Sequence, residues 1–437
     1  MNLSILPQLA ESPRYTCSLG GAIATASAIH RVVPIIHAGP GCGMQLFNGL
    51  QYVSGYQGAT YVGSSATPST NTVDRDVVFG GEPKLRQTIE SAVEIMDADL
   101  FFVLTGCTSE IIGDDVQSVV NDFRKRGVNI VHAATSGFKG LTRRGYEQVL
   151  ESLLDSIVEP AERDPKLVNI FGVVPSADVF WQGNLEEISR LLSELGLRVN
   201  AFFTGQGIET LRTSSGAALN VVLSADLCDG VVSTYQERYS VPHLRFDAIP
   251  LGPTASSKFL RDIGGRLGIA EVVVDDVVQR NERNTWDYFE RAALAFTGFG
   301  YQHRIAVLGD ASTVISLTRF LADDFGQIPV AAVVLERLSD DGQQRVTQAL
   351  AHLNTVAAPP LLITDDQRAA WKAVTESQPS FVLGSSLDKD IAEELEALHL
   401  SVSFPVTDRV ILSRSYAGYR GAITLAEDFF APALTAL

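Results

Sequence analysis

Short apolar, β-branched runs alternate with longer helical stretches along nearly the whole chain, and this alternation constrains the fold more than any other feature. Val32–Ala38, Leu100–Gly106 and Val128–Thr135 read as strands buried on both faces, because their apolar runs are continuous. Between them, Glu82–Asp97 and Asp114–Arg126 carry the periodicity of helices facing a core. Strand, helix and strand in that order predict parallel βαβ units.

The pattern recurs twice. After a polar, proline-containing break at Glu159–Pro165, strands are expected at Leu167–Val174, Leu197–Phe203, Leu219–Leu223 and Leu244–Ile249. Helices fall at Asn184–Leu195 and near Ser256–Leu267. A helical stretch, Asp275–Phe296, leads to a glycine-rich junction around Gly298–Gly300. Beyond it lie strands at Arg304–Leu308, Val330–Leu335, Pro360–Thr364, Ser380–Gly384 and Ser401–Phe404, and a closing helix from Gly418 to Leu437. The expected fold is α/β: three doubly wound, Rossmann-like domains with mostly parallel sheets and a C-terminal helix. Their spans are 1–160, 161–297 and 298–437, in line with 437 residues at roughly 150 per domain.

Composition removes several functions. Thirty-four basic residues against 51 acidic ones leave a net charge of −17, the wrong sign for a phosphate-backbone binder or for docking on anionic lipid. The apolar runs are far shorter than the roughly 20 residues of a spanning helix. Met1–Pro7 lacks a secretion signal's basic start and apolar core, so a cytoplasmic location is expected. Charged residues make up only 19%, which leaves surface for a partner to cover.

Four cysteines are too few for a disulfide framework, and three of them, Cys17, Cys42 and Cys107, lie in the first quarter. Each could be an ordinary small core residue. Their placement suggests more. Cys42 and Cys107 each follow a predicted strand, where ligands of α/β sheets collect, and Cys17 sits in a glycine-rich arm. No short-spaced ligand pairs mark a zinc site, and none of the seven histidines forms a spaced cluster. Iron–sulfur clusters take about four thiolates. Either Cys228 supplies the fourth or the cluster is shared with another chain. Gly39-Pro40-Gly41-Cys42-Gly43 has the wrong spacing for a dinucleotide loop, and no phosphate-binding G-x-x-x-x-G-K-[ST] occurs. The acidic run from Glu110 to Asp115 opens a helix, where capping and a functional role are both open.

Taken together, the motifs resemble one family. Tyr15-Thr16-Cys17-Ser18-Leu19-Gly20-Gly21-Ala22 and Pro34-Ile35-Ile36-His37-Ala38-Gly39-Pro40-Gly41-Cys42 resemble the first two cysteine blocks of nitrogenase component 1 chains. Val77-Val78-Phe79-Gly80-Gly81 and Thr105-Gly106-Cys107-Thr108-Ser109-Glu110 are similar to the next two, in the same order. Similarity continues through Ile249–Thr254, Phe404–Arg409 and Gly418–Gly421. The resemblance is to a β-type chain: Ser224 aligns with the α chain's cofactor cysteine, which Cys228 misses by four positions, and Asp408 aligns with its histidine.

The resemblance implies that Cys17, Cys42 and Cys107 are this chain's share of an [8Fe-7S] P-cluster bridging an α and a β subunit, which leaves Cys228 a core residue. It implies an α2β2 heterotetramer whose α subunit holds the catalytic iron–sulfur cofactor, and an ATP-dependent iron–sulfur reductase that docks near Phe79. Catalytic residues are then expected in the partner and none in this chain. In molybdenum-type β chains a serine can also ligate the cluster; here Gly137 aligns with it and Ser136 lies one residue away. The family's Gly-Ser-Gln-Gly-Cys around the second cysteine has become Ala38-Gly39-Pro40-Gly41-Cys42. These departures make the chain most similar to the compact β subunit of nitrogenase-like methylthio-alkane reductases, with a dinitrogen-reducing nitrogenase or a cofactor-assembly scaffold as alternatives.

Overall fold

The computed structural model describes residues 14–58, 67–203, 205–299 and 302–435; the expectations for Met1–Pro7 and for Gly300 lie outside them. Twelve strands among the described residues form three sheets, and every named strand pair is parallel. The first sheet runs β1 (Val32–His37), β2 (Leu100–Thr105), β3 (Ile130–Ala134) in chain order. The second contains β4 (Asp164–Phe171), β5 (Arg198–Asn200), β6 (Ala217–Leu223) and β7 (His243–Phe246), ordered β5-β4-β6-β7. The third contains β8 (Arg304–Gly309), β9 (Ile328–Val334), β10 (Leu361–Ile363), β11 (Phe381–Gly384) and β12 (Leu398–Ser401), ordered β10-β9-β8-β11-β12. The last two orders reverse direction between β4 and β6 and between β8 and β11, leaving a crevice at the strands' carboxyl ends.

Continuous apolar runs are explained by burial on both faces. Val33, Ile35, Phe101 and Val103 pack under the helices Glu82–Ile95 and Val116–Lys125. Val32, Ile36, Phe102 and Leu104 face the opposite way, toward the helices Ser18–Ala28 and Thr142–Ser156. That second layer joins one apolar core that continues through Val168 of β4, Ile305 of β8 and Phe381 of β11. The thiol-bearing loops therefore stand on a rigid base.

Several element bounds differ from the sequence expectation for identifiable reasons. Only Arg198–Asn200 forms a strand where Leu197–Phe203 was expected, because the Gln206 side chain takes the N–H groups of Ala201 and Phe202 at 2.9 Å. The last strand is Leu398–Ser401 and shares only Ser401 with the expected Ser401–Phe404, since Val402 and Ser403 both turn their N–H groups onto the Gly384 carbonyl. The expected helix Asp275–Phe296 is two, Glu271–Arg291 and Ala293–Phe299, divided at Ala292, whose N–H is shared between the Tyr288 and Phe289 carbonyls. The closing helix, Gly418–Thr435, packs on β12 and also on Trp181–Glu194, Gly252–Leu267 and Glu271–Arg291 from the preceding segment. Among the described residues no helix is long and apolar enough to cross a membrane.

Candidate functional site

Three loops bring Cys17, Cys42 and Cys107 together. Cys42 lies in the helix Pro40–Leu46 that follows β1, and Cys107 opens the helix Cys107–Ile112 that follows β2. Those two loops touch through Gly106, where a Cβ would come within 2.5 Å of the Ala38 Cβ, so only glycine fits. Cys17 precedes the helix Ser18–Ala28 and is held by its neighbours' backbone. Thr142 N–H donates to the Thr16 carbonyl at 2.8 Å, and Ser18 N–H to the Gly140 carbonyl at 2.9 Å.

The loop after β3 meets both of these. Gly137 N–H donates to Cys107 Sγ at 3.2 Å, and a Cβ on Gly137 would lie 3.1 Å from Cys17 Cβ and 3.5 Å from Cys17 Sγ. Burial pushes the Cys42 thiol up, and the charges of Cys17 and Cys107 push it further in the same direction. Mutual repulsion of this kind is relieved by a cation among the thiolates. Cys107 is exposed, and the apolar side chains of Met44, Ile111 and Phe138, each within four residues of a cysteine or of Gly137, are exposed with it. Phe79 is 80% exposed on the helix Asp74–Phe79, which packs against Cys107–Ile112.

Other expected residues have different surroundings. Ser136 is fully buried; its hydroxyl donates to Glu110 Oε2 at 2.7 Å and its N–H to Glu110 Oε1 at 3.0 Å. Burial alone would raise the Glu110 carboxyl, yet Lys139, Thr105 and Ser136 outweigh it and hold the group below its ordinary value. The acidic run thus divides its work. Asp115 caps the next helix through Ser118 N–H, while Asp114 receives Gly81 N–H and faces His37 Nε2 at 2.9 Å. Burial lowers His37 despite that carboxylate, which favours the neutral ring. Cys228 is fully buried beyond β6, and burial drives its thiol far up, as befits a core residue. Asp408 accepts from the hydroxyls of Ser386 and Ser401 at 3.0 and 2.9 Å.

Sequence reasoning missed one constellation. Arg143 is half-buried among three buried carboxylates, Asp178 at 3.2 Å, Asp310 at 3.4 Å and Glu336. It borders a cavity of about 520 Å³ whose lining includes Tyr15, Gly137, Ser224, Ser312 and Glu336. No local motif links these residues, but Asp310 and Glu336 each follow the end of a strand. That position is the signal that could have found them.

The match to known proteins extends over this whole arrangement. The family model for nitrogenase component 1 type oxidoreductase covers residues 17–434. The chain belongs to that family. A nitrogenase molybdenum-iron protein beta chain of Methanococcus maripaludis is 24% identical over 95% of this chain and 92% of its own length. A nitrogenase vanadium-iron protein beta chain of Trichormus variabilis (strain ATCC 29413 / PCC 7937) is also 24% identical, over 95% and 92%. These relatives make it a β-type member of the nitrogenase component 1 family. The solved nitrogenase Cp1 at pH 6.5 has a TM-score of 0.82 at 19% identity, covering 99% of this chain and 94% of that one, which establishes the fold.

Proposed function

We propose that this chain is the β-type subunit of a nitrogenase-like reductase, and that Cys17, Cys42 and Cys107 hold its half of an [8Fe-7S] P-cluster shared with an α-type subunit. One observation carries the reading: Cys17 and Cys107 meet at Gly137, and Cys42, from a third loop, lies near enough for the charges of both to act on its thiol, at an exposed, apolar-rimmed surface. Among the described residues no group of three His, Cys, Asp or Glu side chains is placed to hold a single metal ion. When bound, such a cluster stores and passes single electrons. This chain's own residues supply thiolates, a backbone N–H from Gly137 and a hydrophobic rim that a partner would cover.

The same reading places the catalytic iron–sulfur cofactor in the α partner of an α2β2 heterotetramer, with electrons from an ATP-dependent iron–sulfur reductase docking near Phe79. The four free cysteines suit a cytoplasmic setting. The three sheets support units at 1–160, 161–297 and 298–437. Gly137 in the serine position and the altered block before Cys42 favour methylthio-alkanes as substrates. Each turnover would break an alkyl C–S bond, take up two electrons and two protons, and leave an alkane and methanethiol.

A second reading, reduction of dinitrogen, is favoured by the molybdenum-iron and vanadium-iron beta chains among the relatives. The test is the complex co-purified with its α partner and assayed with the reductase and ATP. Methanethiol from a methylthio-alkane supports the first reading, and ammonia from dinitrogen without thiol moves the assignment to the second. Absence of cluster iron from the assembled complex ends both.

A further inference from the structure

We propose that Glu110 is a positioning residue that raises the reduction potential of the shared cluster, by holding the Gly137 N–H against the Cys107 sulfur; this rests on the cluster reading above. The carboxylate joins two elements. Thr105, at the end of β2, donates its hydroxyl to Glu110 Oε1 at 2.6 Å, and Glu110 lies three residues after Cys107 on the same helix. Across the gap, Oε1 also receives Ser136 N–H, while Oε2 receives the Ser136 hydroxyl and the Lys139 ammonium, the latter at 2.7 Å. The last three bonds tie the loop carrying Gly137 to the helix carrying Cys107, and the first fixes that carboxylate to the strand before it.

Ser18 adds a second tie from the Cys17 side. Its hydroxyl bonds the carbonyls of Thr135 at 3.0 Å and Ser136 at 2.7 Å. Capping does not explain Glu110, since its carboxylate bonds Thr105, Ser136 and Lys139, and its own helix has no side-chain cap. Glycine at 137 completes the device: a Cβ there would lie 3.3 Å from Cys107 Sγ and 3.1 Å from Cys17 Cβ, so close that the loop or the cysteines must give way by a few tenths of an ångström.

The physical effect has a definite sign. Adding an electron to thiolate-bound iron increases negative charge on the sulfur, so an N–H aimed at it stabilises the reduced form more. Losing that bond should lower the potential.

The experiment is an anaerobic redox titration of the complex with its α partner, followed by electron paramagnetic resonance, with iron counted in each sample. Glu110→Ala and Gly137→Ala should keep their iron while the reduced-to-oxidised ratio at fixed poise falls roughly tenfold, about 59 mV for a one-electron step. Glu110→Gln keeps an oxygen for Thr105 and the Ser136 N–H, and should stay near the unaltered complex. Full iron with unmoved potentials in both alanine variants would overturn the inference. So would a Glu110→Gln complex that falls as far as Glu110→Ala, because the loop's position would then be kept and the potential lost. If Glu110→Ala loses its iron, Gly137→Ala decides, and an unmoved potential there overturns the inference. An unaltered complex lacking cluster iron overturns the cluster reading and this inference with it.

Discussion

The Ser136 hydroxyl donates to Glu110 Oε2 at 2.7 Å, with the Ser136 N–H on the other oxygen of the same carboxylate. The side-chain oxygen nearest in sequence to the aligned serine is therefore already engaged in the resting fold. Ser136→Ala should keep full cluster iron in reduced and oxidised states and cost about 1 kcal/mol of stability, the net worth of one hydrogen bond. Iron content and chemical denaturation check both. Spectroscopic evidence for serine oxygen on iron in the reduced complex would contradict it.

Replacing Cys17, Cys42 or Cys107 with Ala should lower cluster iron and abolish most substrate reduction, because each removes a thiolate from a converging set. Cys228→Ala should retain both and lose about 1 kcal/mol to a small core cavity. Iron assays on the four purified variants separate these outcomes. Equal iron in all four would assign every cysteine to packing.

Phe79 is 80% exposed, so its removal takes little packing from the chain itself. Phe79→Ala should change unfolding free energy by less than about 0.5 kcal/mol. It should nevertheless slow reductase-dependent turnover in the assembled complex, measured as substrate reduced per reductase cycle. Unaltered turnover would place the docking surface elsewhere.

Arg143 is one cation among three buried carboxylates. Burial, opposed by Arg143, pushes Asp178 up to about 6 and Glu336 up to about 7. In the folded state these groups hold protons that an unfolded chain releases at lower pH. Their contribution to stability is complete below the unfolded value of about 4 and is lost as pH rises through about 6 and 7. The melting temperature should fall between about pH 4 and pH 7, and Glu336→Gln, neutral throughout, should flatten that slope. An identical slope in the variant would remove Glu336 as its source.

Local patterning was enough to anticipate a strand near each of the twelve observed, the last overlapping at Ser401 alone, because strands buried on both faces are mostly apolar, as in Val32–His37 and Leu100–Thr105, where only the closing His37 and Thr105 are polar. It also marked Cys17, Cys42 and Cys107, whose positions after strands and beside glycines are features of neighbouring residues. Strand order was not legible, since placing β6 beside β4 or β11 beside β8 depends on how helices pack over the sheets. The partner of Ser136 was likewise hidden, because Glu110 reaches it only across the gap between two parallel strands. Arg143 gathers carboxylates from three distant stretches. Hydrophobic periodicity is a property of adjacent residues and can be read along the chain. Hydrogen bonds and buried charges join residues far apart in sequence, and only the folded core brings those together.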